Sequence, residues 1–543
     1  MSMEEPTPDD PRSPTRPQAS LLRHGSILSL LTFASRLLGM AREMMKAHLL
    51  GTTALADAFA VAFMLPNLFR RLFAEGSISV AFIPTFKEFL LAGDKAKNRE
   101  FLSSIFTLLT FVVTLAVMAG VLAAPLAVRM FGLEEFDEAV FLTRIMFPFL
   151  GFISIAALFQ GILNSLHVFA PSALAPIVLN IVVILCAWAF SPHTENPARA
   201  LAYGILLGGG LGTTLQLPFV IKNRQRFFFT GLRRAFANPG TRKVLWLIGP
   251  TIIGMAAHKL NDLVSVALAG NAGEGVVSSL QYSLRLQELI LGVFAVSIGT
   301  VLLPNLAEYA KSSQWENFNE RLISAMDVIA LVTVPVTFFA LAQGEVLIRL
   351  IYQSSAFDET SVRLTLSAFT FHMPGLFFIA LNRILAPAFY AQSNSKSPTV
   401  AGIFSFATNI ILAAILVRHF RGAGIALALS VASAVNTALL LVFLRKNPHI
   451  AVGRALASAL LYTLKLSALS AVAVAPVLLL SPLLLEALAG GGRIVSFGVP
   501  LAINGIVFAL VGVGLLVITR DQQFRNLLQA LQRRRVTKHE GER

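Results

Sequence analysis

Long apolar runs separated by short polar turns fill the chain from residue 26 onward. Each run holds about 20 or more mostly apolar residues, which is the length a helix needs to cross a bilayer. A helix also satisfies its own backbone hydrogen bonds, as lipid requires. The pattern therefore predicts an all-α polytopic membrane protein with fourteen transmembrane helices, at 26–50, 54–91 (broken near Pro66 and Pro84), 99–130, 136–166, 171–191, 196–221, 239–270, 275–311, 316–342, 359–392, 397–419, 422–445, 455–485 and 494–519.

The turns alternate in charge, and this alternation orients the chain. The turn at 222–238 is strongly basic and has no acidic residue, and the tail at 520–543 is also basic. The turn at 131–138 carries four acidic residues and no basic one. Because basic loops stay on the cytoplasmic side, both termini are expected in the cytoplasm. An even number of spans agrees with that orientation.

Composition excludes several other classes of protein. Only 13% of residues are charged, against about 25% in soluble domains, and mean hydropathy is +0.72. The net charge of +15 is explained by basic loops that face anionic membrane lipids, so nucleic acid is not an expected partner. Cys186 is the one cysteine, which excludes an intrachain disulfide. No zinc, nucleotide-binding or Ser/His/Asp pattern is present, so no enzyme activity, cofactor or assignable metal site is predicted.

Weak matches between two parts of the chain suggest an internal repeat. Pro148 and Pro374 fall early in the fourth and tenth spans, and Asn180 and Asn409 fall in the spans that follow. Ser77-Ile78 and Pro84 recur as Ser297-Ile298 and Pro304. Parallel repeats of this kind favour a transporter with its cavity between two halves. The predicted organisation is a disordered N-terminus at 1–25, a six-helix lobe at 26–221, a basic loop at 222–238, a second six-helix lobe at 239–446, two added helices at 455–519 and a basic tail at 520–543.

Charged residues inside the spans are the candidate functional residues, because charges at membrane depth are costly. Arg71 and Glu75 have the spacing of a structural ion pair on one helix face. That pairing leaves Arg70 without a carboxylate partner in its own helix. With Arg42 in the first span and Arg285 in the eighth, Arg70 predicts an anion site, since guanidinium groups bind phosphate oxygens in pairs. Gly39, Pro66 and Pro304 are candidate hinges.

Three motifs carry a family resemblance. "SRLLGMARE" (35–43), "ADAFAVAFMLPNLFRRLFAEGSISVAFIP" (56–84) and "RLQELILGVFAVSIGTVLLP" (285–304) resemble the lipid II flippase family MurJ, also called MviN. The resemblance spans residues 26 to 520. It implies membership of the multidrug/oligosaccharidyl-lipid/polysaccharide exporter superfamily, with two six-helix lobes and a lipid-facing groove formed by the last two helices. Members move the undecaprenyl-diphosphate-linked peptidoglycan precursor across the bacterial inner membrane for cell wall synthesis.

The resemblance also implies roles for individual residues. Carried over by motif, the substrate-binding residues are Arg36, Arg42, Arg70, Arg285, Asp57 and Glu288. The family implies coupling to membrane potential or to Na⁺. No carboxylate follows Asn382 one turn on, so no Na⁺ site is assigned here. The expected partner is lipid II or a similar polyprenyl-diphosphate lipid, with cell-wall synthesis proteins as further candidates. A flippase for another polyprenyl-diphosphate-linked saccharide and a non-transporting membrane scaffold remain alternatives.

Overall fold

The computed structural model describes residues 16–70, 81–526 and 529 of the 543-residue chain. Helices fill these ranges and no strand occurs within them. Their bounds are α1 Arg16–Leu50, α2 Ala54–Arg70, α3 Ile83–Leu91, α4 Lys95–Arg129, α5 Phe136–Met146, α6 Phe149–Ser165, α7 Ala170–Phe190, α8 Pro197–Lys222, α9 Leu232–Ala237, α10 Pro239–Gly270, α11 Val276–Lys311, α12 Trp315–Tyr352, α13 Glu359–His372, α14 Gly375–Tyr390, α15 Lys396–Leu444, α16 Val452–Ala487 and α17 Val499–Ile518. A π-helical segment, Ile494–Gly498, leads into α17.

The apolar runs fold as the predicted membrane helices. In the described residues, eight helical stretches are long and apolar enough to cross a bilayer, and the bent pair α13–α14 would add a ninth. The charged helices α1, α2, α10 and α11 are not among those eight. An all-helical membrane protein is thus confirmed. The count of fourteen spans also needs those four charged helices and the division of α15 into two spans, and it stays a prediction.

Prolines set several helix boundaries. Pro148 separates α5 from α6, and Pro374 separates α13 from α14, which are bent by 45°. Pro84 lies in the first turn of α3, as predicted. The predicted break near Pro66 is wrong, because α2 runs unbroken through that residue. A proline removes one backbone hydrogen bond from a helix. In an apolar environment no water replaces the other backbone hydrogen bonds, so the helix can continue through the proline.

Two other boundaries differ from the predicted ones in an informative way. α1 begins at Arg16, ten residues before its predicted start, and Pro17 suits the first turn of a helix. The spans predicted at 397–419 and 422–445 form α15, whose backbone leaves helical geometry at Arg421 (φ 47°, ψ −127°). A Cβ on Gly424 would lie 2.5 Å from the carbonyl oxygen of Leu416, so glycine permits the close approach at this joint.

The helices divide into two compact units. Unit 1 comprises Met1–Lys46, Ala62–Pro125 and Val140–Ala257, and unit 2 comprises Ala47–Val61, Leu126–Ala139 and His258–Arg543. Stacked phenylalanine rings form part of the core of unit 1. The ring centres of Phe89 and Phe101 lie 4.5 Å apart. The core of unit 2 is aliphatic and includes Leu376, Ile384 and Ile329.

A matching hydrogen bond occurs once in each unit. In unit 1, the Asn180 amide of α7 donates to the carbonyl oxygen of Ser35 in α1 at 3.3 Å. In unit 2, the Asn409 amide of α15 donates to Oδ1 of Asn261 in α10 at 2.8 Å. In each half, the fifth predicted span of that half contacts the first span of the same half. This correspondence agrees with the proposed internal repeat.

Polar contacts hold the last helix, α17, to the rest of unit 2. The Asn504 amide donates to Oε1 of Gln343 in α12 at 3.0 Å, and both side chains are buried. Beyond the end of α17, Asp521 accepts hydrogen bonds from Lys465 (2.6 Å) and the Tyr462 hydroxyl (2.9 Å) of α16. These contacts fix a helix whose remaining surface is almost entirely apolar and exposed.

Candidate substrate-binding site

The cations of α1 form a small cluster around one carboxylate. Glu43 accepts from Arg42 Nη2 at 3.0 Å through Oε1 and from Lys46 Nζ at 2.7 Å through Oε2. The Arg42 guanidinium also lies 5.8 Å from the centre of the Phe63 ring, within cation–π range. Two cations share one acid at sites that are mostly buried, so the cluster keeps an excess positive charge of one. The Glu43–Lys46 pair could be found from its spacing of three residues, whereas helix geometry does not mark the contact between the adjacent Arg42 and Glu43.

Two other N-terminal candidates lie elsewhere on α1 and α2. Arg36 is exposed on α1. Arg70, at the end of α2, donates from Nε to Oδ1 of Asn67 at 2.6 Å. Asn67 is a partner in the same helix that the search for carboxylates missed, and its amide oxygen helps to orient the guanidinium. Arg71 and Glu75 lie outside the described residues, so their ion pair stays a prediction.

Arg285 and Glu288 occupy the more exposed face of α11. Their side chains pair at 3.1 Å and are 38% and 60% exposed. An ion pair this exposed contributes little stability, so both groups can exchange it for a ligand at little cost.

The opposite face of α11 is buried and polar. Ser283 Oγ lies 2.7 Å from Nδ1 of the buried His372, and the Gln287 amide donates to the His372 carbonyl oxygen. Ser283 and Gln287 are four residues apart, one turn of the helix. These bonds set the rotation of α11 and thereby the direction in which Arg285 points. The sequence analysis missed this role, although polar residues repeating every four positions in an apolar helix were a visible signal.

Asp57 lies in a different environment from the arginines. It is 3% exposed, and its two carboxylate oxygens accept the backbone N–H groups of Gly275 (2.8 Å) and Ser278 (2.7 Å). These groups precede and begin α11 and would otherwise lack partners. Gly275 has φ +77°, and a Cβ there would lie 2.3 Å from the Thr52 carbonyl oxygen. In this structure the carboxylate caps a helix, and its predicted contact with substrate stays a prediction.

Further contacts surround this cap within unit 2. Thr52 bonds Ser361 through its hydroxyl at 2.9 Å, and the Tyr282 hydroxyl donates to the Gly51 carbonyl oxygen at 3.1 Å. The short segment 47–61 is thus held to α11 and α13, while the residues that flank it in sequence belong to unit 1.

Asn382 takes part in contacts between α14 and α15. Its Oδ1 accepts from the Thr437 hydroxyl at 2.9 Å, and its amide donates to the Ser433 carbonyl oxygen at 3.1 Å. The positions one turn on are Ala386 and Pro387, so no carboxylate follows it there. No Na⁺ site is assigned to this residue set. Across residues 16–70, 81–526 and 529, no group of three or more His, Cys, Asp or Glu side chains could hold a metal ion.

The predicted site residues thus fall into separate local groups. Arg42 joins Glu43 and Lys46, Arg285 joins Glu288, and Asp57 joins the start of α11. The three hinge candidates lie within helices: Gly39 in α1, Pro66 in α2 and Pro304 in α11. Their role as hinges stays a prediction.

The fold is that of a known class of exporter. It resembles an inward-facing multidrug resistance MATE family transporter of the MOP superfamily, with a TM-score of 0.64 at 15% identity, covering 76% of this chain and 95% of that one. At this identity the likeness establishes the fold alone. A closer likeness is to a structure described as lipid II flippase MurJ in an inward closed conformation, with a TM-score of 0.73, 25% identity, and coverage of 91% of this chain and 99% of that one.

Sequence comparison narrows the class to one family. The profile of the family described as Lipid II flippase MurJ matches residues 46–488. A probable lipid II flippase MurJ of Treponema pallidum (strain Nichols) is 44% identical over 93% of this chain and 97% of its own length. A lipid II flippase MurJ of Burkholderia cenocepacia is 32% identical over 79% of this chain and 84% of its own. The chain belongs to the lipid II flippase MurJ family. Members of this family are transporters, so the prediction that this protein is a transporter and not an enzyme is confirmed.

Proposed function

We propose that this protein moves lipid II, the undecaprenyl-diphosphate-linked peptidoglycan precursor, from the cytoplasmic to the outer leaflet of the bacterial inner membrane. The observation that carries the proposal is family membership along nearly the whole chain, with 44% identity over 93% of it to a probable lipid II flippase. The helical exporter fold supports the same function, because a flippase must shelter a polar headgroup while its lipid tail stays in the bilayer.

Arginines on α1, α2 and α11 are proposed to bind the diphosphate. Arg42 shares Glu43 with Lys46, and Arg70 donates to the side-chain oxygen of Asn67. Arg285 pairs with the exposed carboxylate of Glu288, which a ligand can replace at little cost. Guanidinium groups bind phosphate oxygens two at a time, so these three side chains suit a diphosphate. Arg36 and Glu288 are proposed to contact the rest of the headgroup.

The full topology is proposed to contain fourteen spans with both termini in the cytoplasm. The described helices α1, α2, α10 and α11 are proposed as four further spans, and α15 is proposed to supply two spans that meet near Arg421. The basic segment at 222–238 supports the orientation. This segment lies alongside α4. The Phe228 N–H donates to Ser103 Oγ, and the Thr230 N–H donates to Thr107 Oγ1. The Phe229 side chain is exposed beside the basic residues of the segment. Exposed aromatic and basic groups together suit the anionic cytoplasmic leaflet.

Transport is proposed to occur by alternating access, with the tail in lipid along α16 and α17. Leu461 and Leu479 of α16 and Leu510 of α17 are among the most exposed large apolar side chains of the described chain. Such surfaces match a polyprenyl chain as well as they match ordinary lipid. Gly39, Pro66 and Pro304 are the proposed hinges, and membrane potential is the proposed source of coupling.

The test is a replacement experiment. The native protein is depleted, Arg42→Ala, Arg70→Ala or Arg285→Ala is supplied, and lipid II exposed on the outer leaflet is measured at matched expression. Each variant should lose most of the exposure, and lysine at the same positions should also fail because it cannot form paired bonds. Arg363→Ala is the matched control, since Arg363 is an exposed arginine of α13 that contacts Thr360.

Two outcomes would contradict the proposal. Normal lipid II exposure in well-expressed Arg42→Ala and Arg70→Ala variants would favour the scaffold alternative. Normal exposure of lipid II after depletion, together with loss of another polyprenyl-diphosphate-linked saccharide from the outer leaflet, would favour a flippase for that saccharide.

A further inference from the structure

A cavity of ≈ 520 Å³ lies in unit 2, where the connection between α16 and α17 meets the end of α12. It is separate in sequence from every residue of the site proposed above. Its lining combines one cation, two polar side chains, three apolar side chains and a glycine turn: Arg493, Gln353, Ser496, Leu485, Ala489, Phe497, Gly490 and Gly491.

Arg493 supplies the charge of this cavity. Its Nη1 donates to the Gln353 carbonyl oxygen at 2.9 Å, which fixes the guanidinium at the cavity wall. A guanidinium has five N–H donors, so this bond leaves most of them available for a ligand. Within the described part of the chain, no carboxylate lies within ion-pair distance of Arg493.

Gln353 forms the wall beside this cation. Its backbone carbonyl oxygen accepts from Arg493, and the residue also lines the cavity. Its side-chain Oε1 is buried, so it does not compete for the guanidinium or for a ligand. A fixed cation without a facing carboxylate selects a ligand that carries an anionic oxygen.

The turn that forms the wall is fixed in shape and leaves room. The Ser496 hydroxyl donates to the carbonyl oxygens of Gly491 (2.8 Å) and Leu488 (3.0 Å), which ties the turn to the start of α17. Gly490 has φ +94°, and no atom lies within 4 Å of where its Cβ would be. A preorganised wall of this kind lowers the entropy cost of binding.

The helices beside the cavity expose large apolar side chains, which favours a lipid over a free anion. Leu483 of α16 is 64% exposed, and Ile494, next to Arg493, is 74% exposed. A ligand whose headgroup enters the cavity could lay its chain against such side chains. In the proposed topology, this end of α16 and α17 lies at the outer leaflet.

We propose that the Arg493 cavity binds the phosphate-bearing headgroup of a lipid in the outer leaflet. The phosphate oxygens pair with the Arg493 guanidinium. Two lipids share this chemistry, a glycerophospholipid and a polyprenyl phosphate, and the placement in the outer leaflet rests on the proposed function. Binding of the polyprenyl phosphate would make the cavity a release-side contact for the transported lipid class.

The test measures lipid retention by the purified full-length protein, using native mass spectrometry with phosphatidylglycerol, undecaprenyl phosphate or uncharged undecaprenol as the added probe. Arg493→Gln should lower retention of a charged probe about tenfold. It should leave undecaprenol unchanged. Arg520→Gln, at the other end of α17, is the matched control.

The source of the ligand follows from which charged probe depends on Arg493. Equal retention of every probe by wild type and Arg493→Gln would overturn the proposal, as would equal loss of charged and uncharged probes. Because the assay needs no transport, its failure leaves the proposed flipping of lipid II untouched. A protein that did not flip lipid II would likewise still show whether lipid retention depends on Arg493.

Discussion

Asp57 accepts the backbone N–H of Ser278 at 2.7 Å across 221 positions of sequence. With Gly275 bonded to its second oxygen, this one carboxylate caps the start of α11, the helix that carries Arg285. The segment around Asp57 belongs to unit 2, although its chain continues into unit 1 on both sides. The Asp57 carboxylate therefore ties the start of α2 to the first turn of α11.

The first prediction concerns the cap itself. Asp57→Asn should lower the free energy of unfolding by about 1–3 kcal/mol, because one oxygen is replaced by an NH₂ group that faces an N–H donor. Asp94→Asn is a matched control, since Oδ1 of Asp94 alone accepts the backbone N–H groups of Ala96 and Lys97, and asparagine can do the same. Its Oδ2 makes only an exposed ion pair with Lys97 Nζ at 3.6 Å, which contributes little stability. Thermal unfolding of the purified variants is the measurement. Equal stability of the two variants would contradict the role of the second oxygen.

The glycine that precedes α11 gives a second prediction. Gly275→Ala should destabilise the protein by more than Gly93→Ala, although both glycines have similar positive φ angles of +77° and +71°. An added Cβ at Gly275 would lie 2.3 Å from the Thr52 carbonyl oxygen, whereas nothing lies within 4 Å at Gly93. Strain of φ alone costs of order 1–3 kcal/mol, and the clash adds to it. Indistinguishable unfolding midpoints would show that the contact relaxes freely.

A third prediction tests the charge balance of α1. Glu43→Gln should destabilise the protein by about 3–5 kcal/mol, because it leaves Arg42 and Lys46 partly buried as like charges. Glu43→Gln with Lys46→Met should recover part of this loss. A double-mutant cycle on unfolding free energies measures the coupling. If the double variant is no more stable than Glu43→Gln, Lys46 does not share the carboxylate in solution.

The buried face of α11 gives a fourth prediction. Ser283→Ala should reduce lipid II exposure, because losing the bond to His372 lets α11 rotate and misdirects Arg285. It should also lower the free energy of unfolding by about 1–3 kcal/mol, because the buried His372 Nδ1 loses its hydrogen bond to Ser283. Ser312→Ala is the control, as that hydroxyl bonds the Glu308 carbonyl oxygen of its own helix at an exposed end. Normal exposure in a stable Ser283→Ala variant would show that this face does not position Arg285.

Asp521, beyond the end of α17, gives a prediction about pH. Burial raises the pKa of this carboxyl, but hydrogen bonds from Lys465, the Phe524 N–H and Tyr462 outweigh it, so the pKa is lowered below 3.8. A lowered pKa means that the stabilisation is present above pH 3.8 and is lost as the pH falls through the native value. Asp521→Asn should therefore flatten the fall in unfolding temperature between pH 6 and pH 3. An unchanged pH profile would exclude Asp521 as its source.

Much of the fold could be predicted because it depends on local pattern. Apolar runs predict helices wherever lipid is the solvent, and Pro148 and Pro374 mark bends because proline lacks an N–H donor. Pro66 shows the limit of that rule, since α2 continues through it. Whether a proline ends a helix depends on what surrounds it, which the local sequence does not contain.

The site could be predicted less completely, for a physical reason. Charges within a few residues, such as Glu43 and Lys46, follow from helix geometry. The partners of Asp57 are more than 200 residues away, and they are backbone groups that no side-chain pattern marks. Asn67 was accessible to the same spacing rule, but only if neutral amides count as partners of arginine.

The paired asparagine bonds of the two units differ in how they tolerate mutation. Asn180 bonds the main-chain oxygen of residue 35, which every amino acid at that position supplies. Asn409 bonds two side-chain oxygens, Oδ1 of Asn261 and Oγ of Ser265, and each disappears if its residue changes. The two contacts are therefore under unequal constraint. Position 35 can change alone, whereas a change at position 261 leaves Asn409 dependent on Ser265.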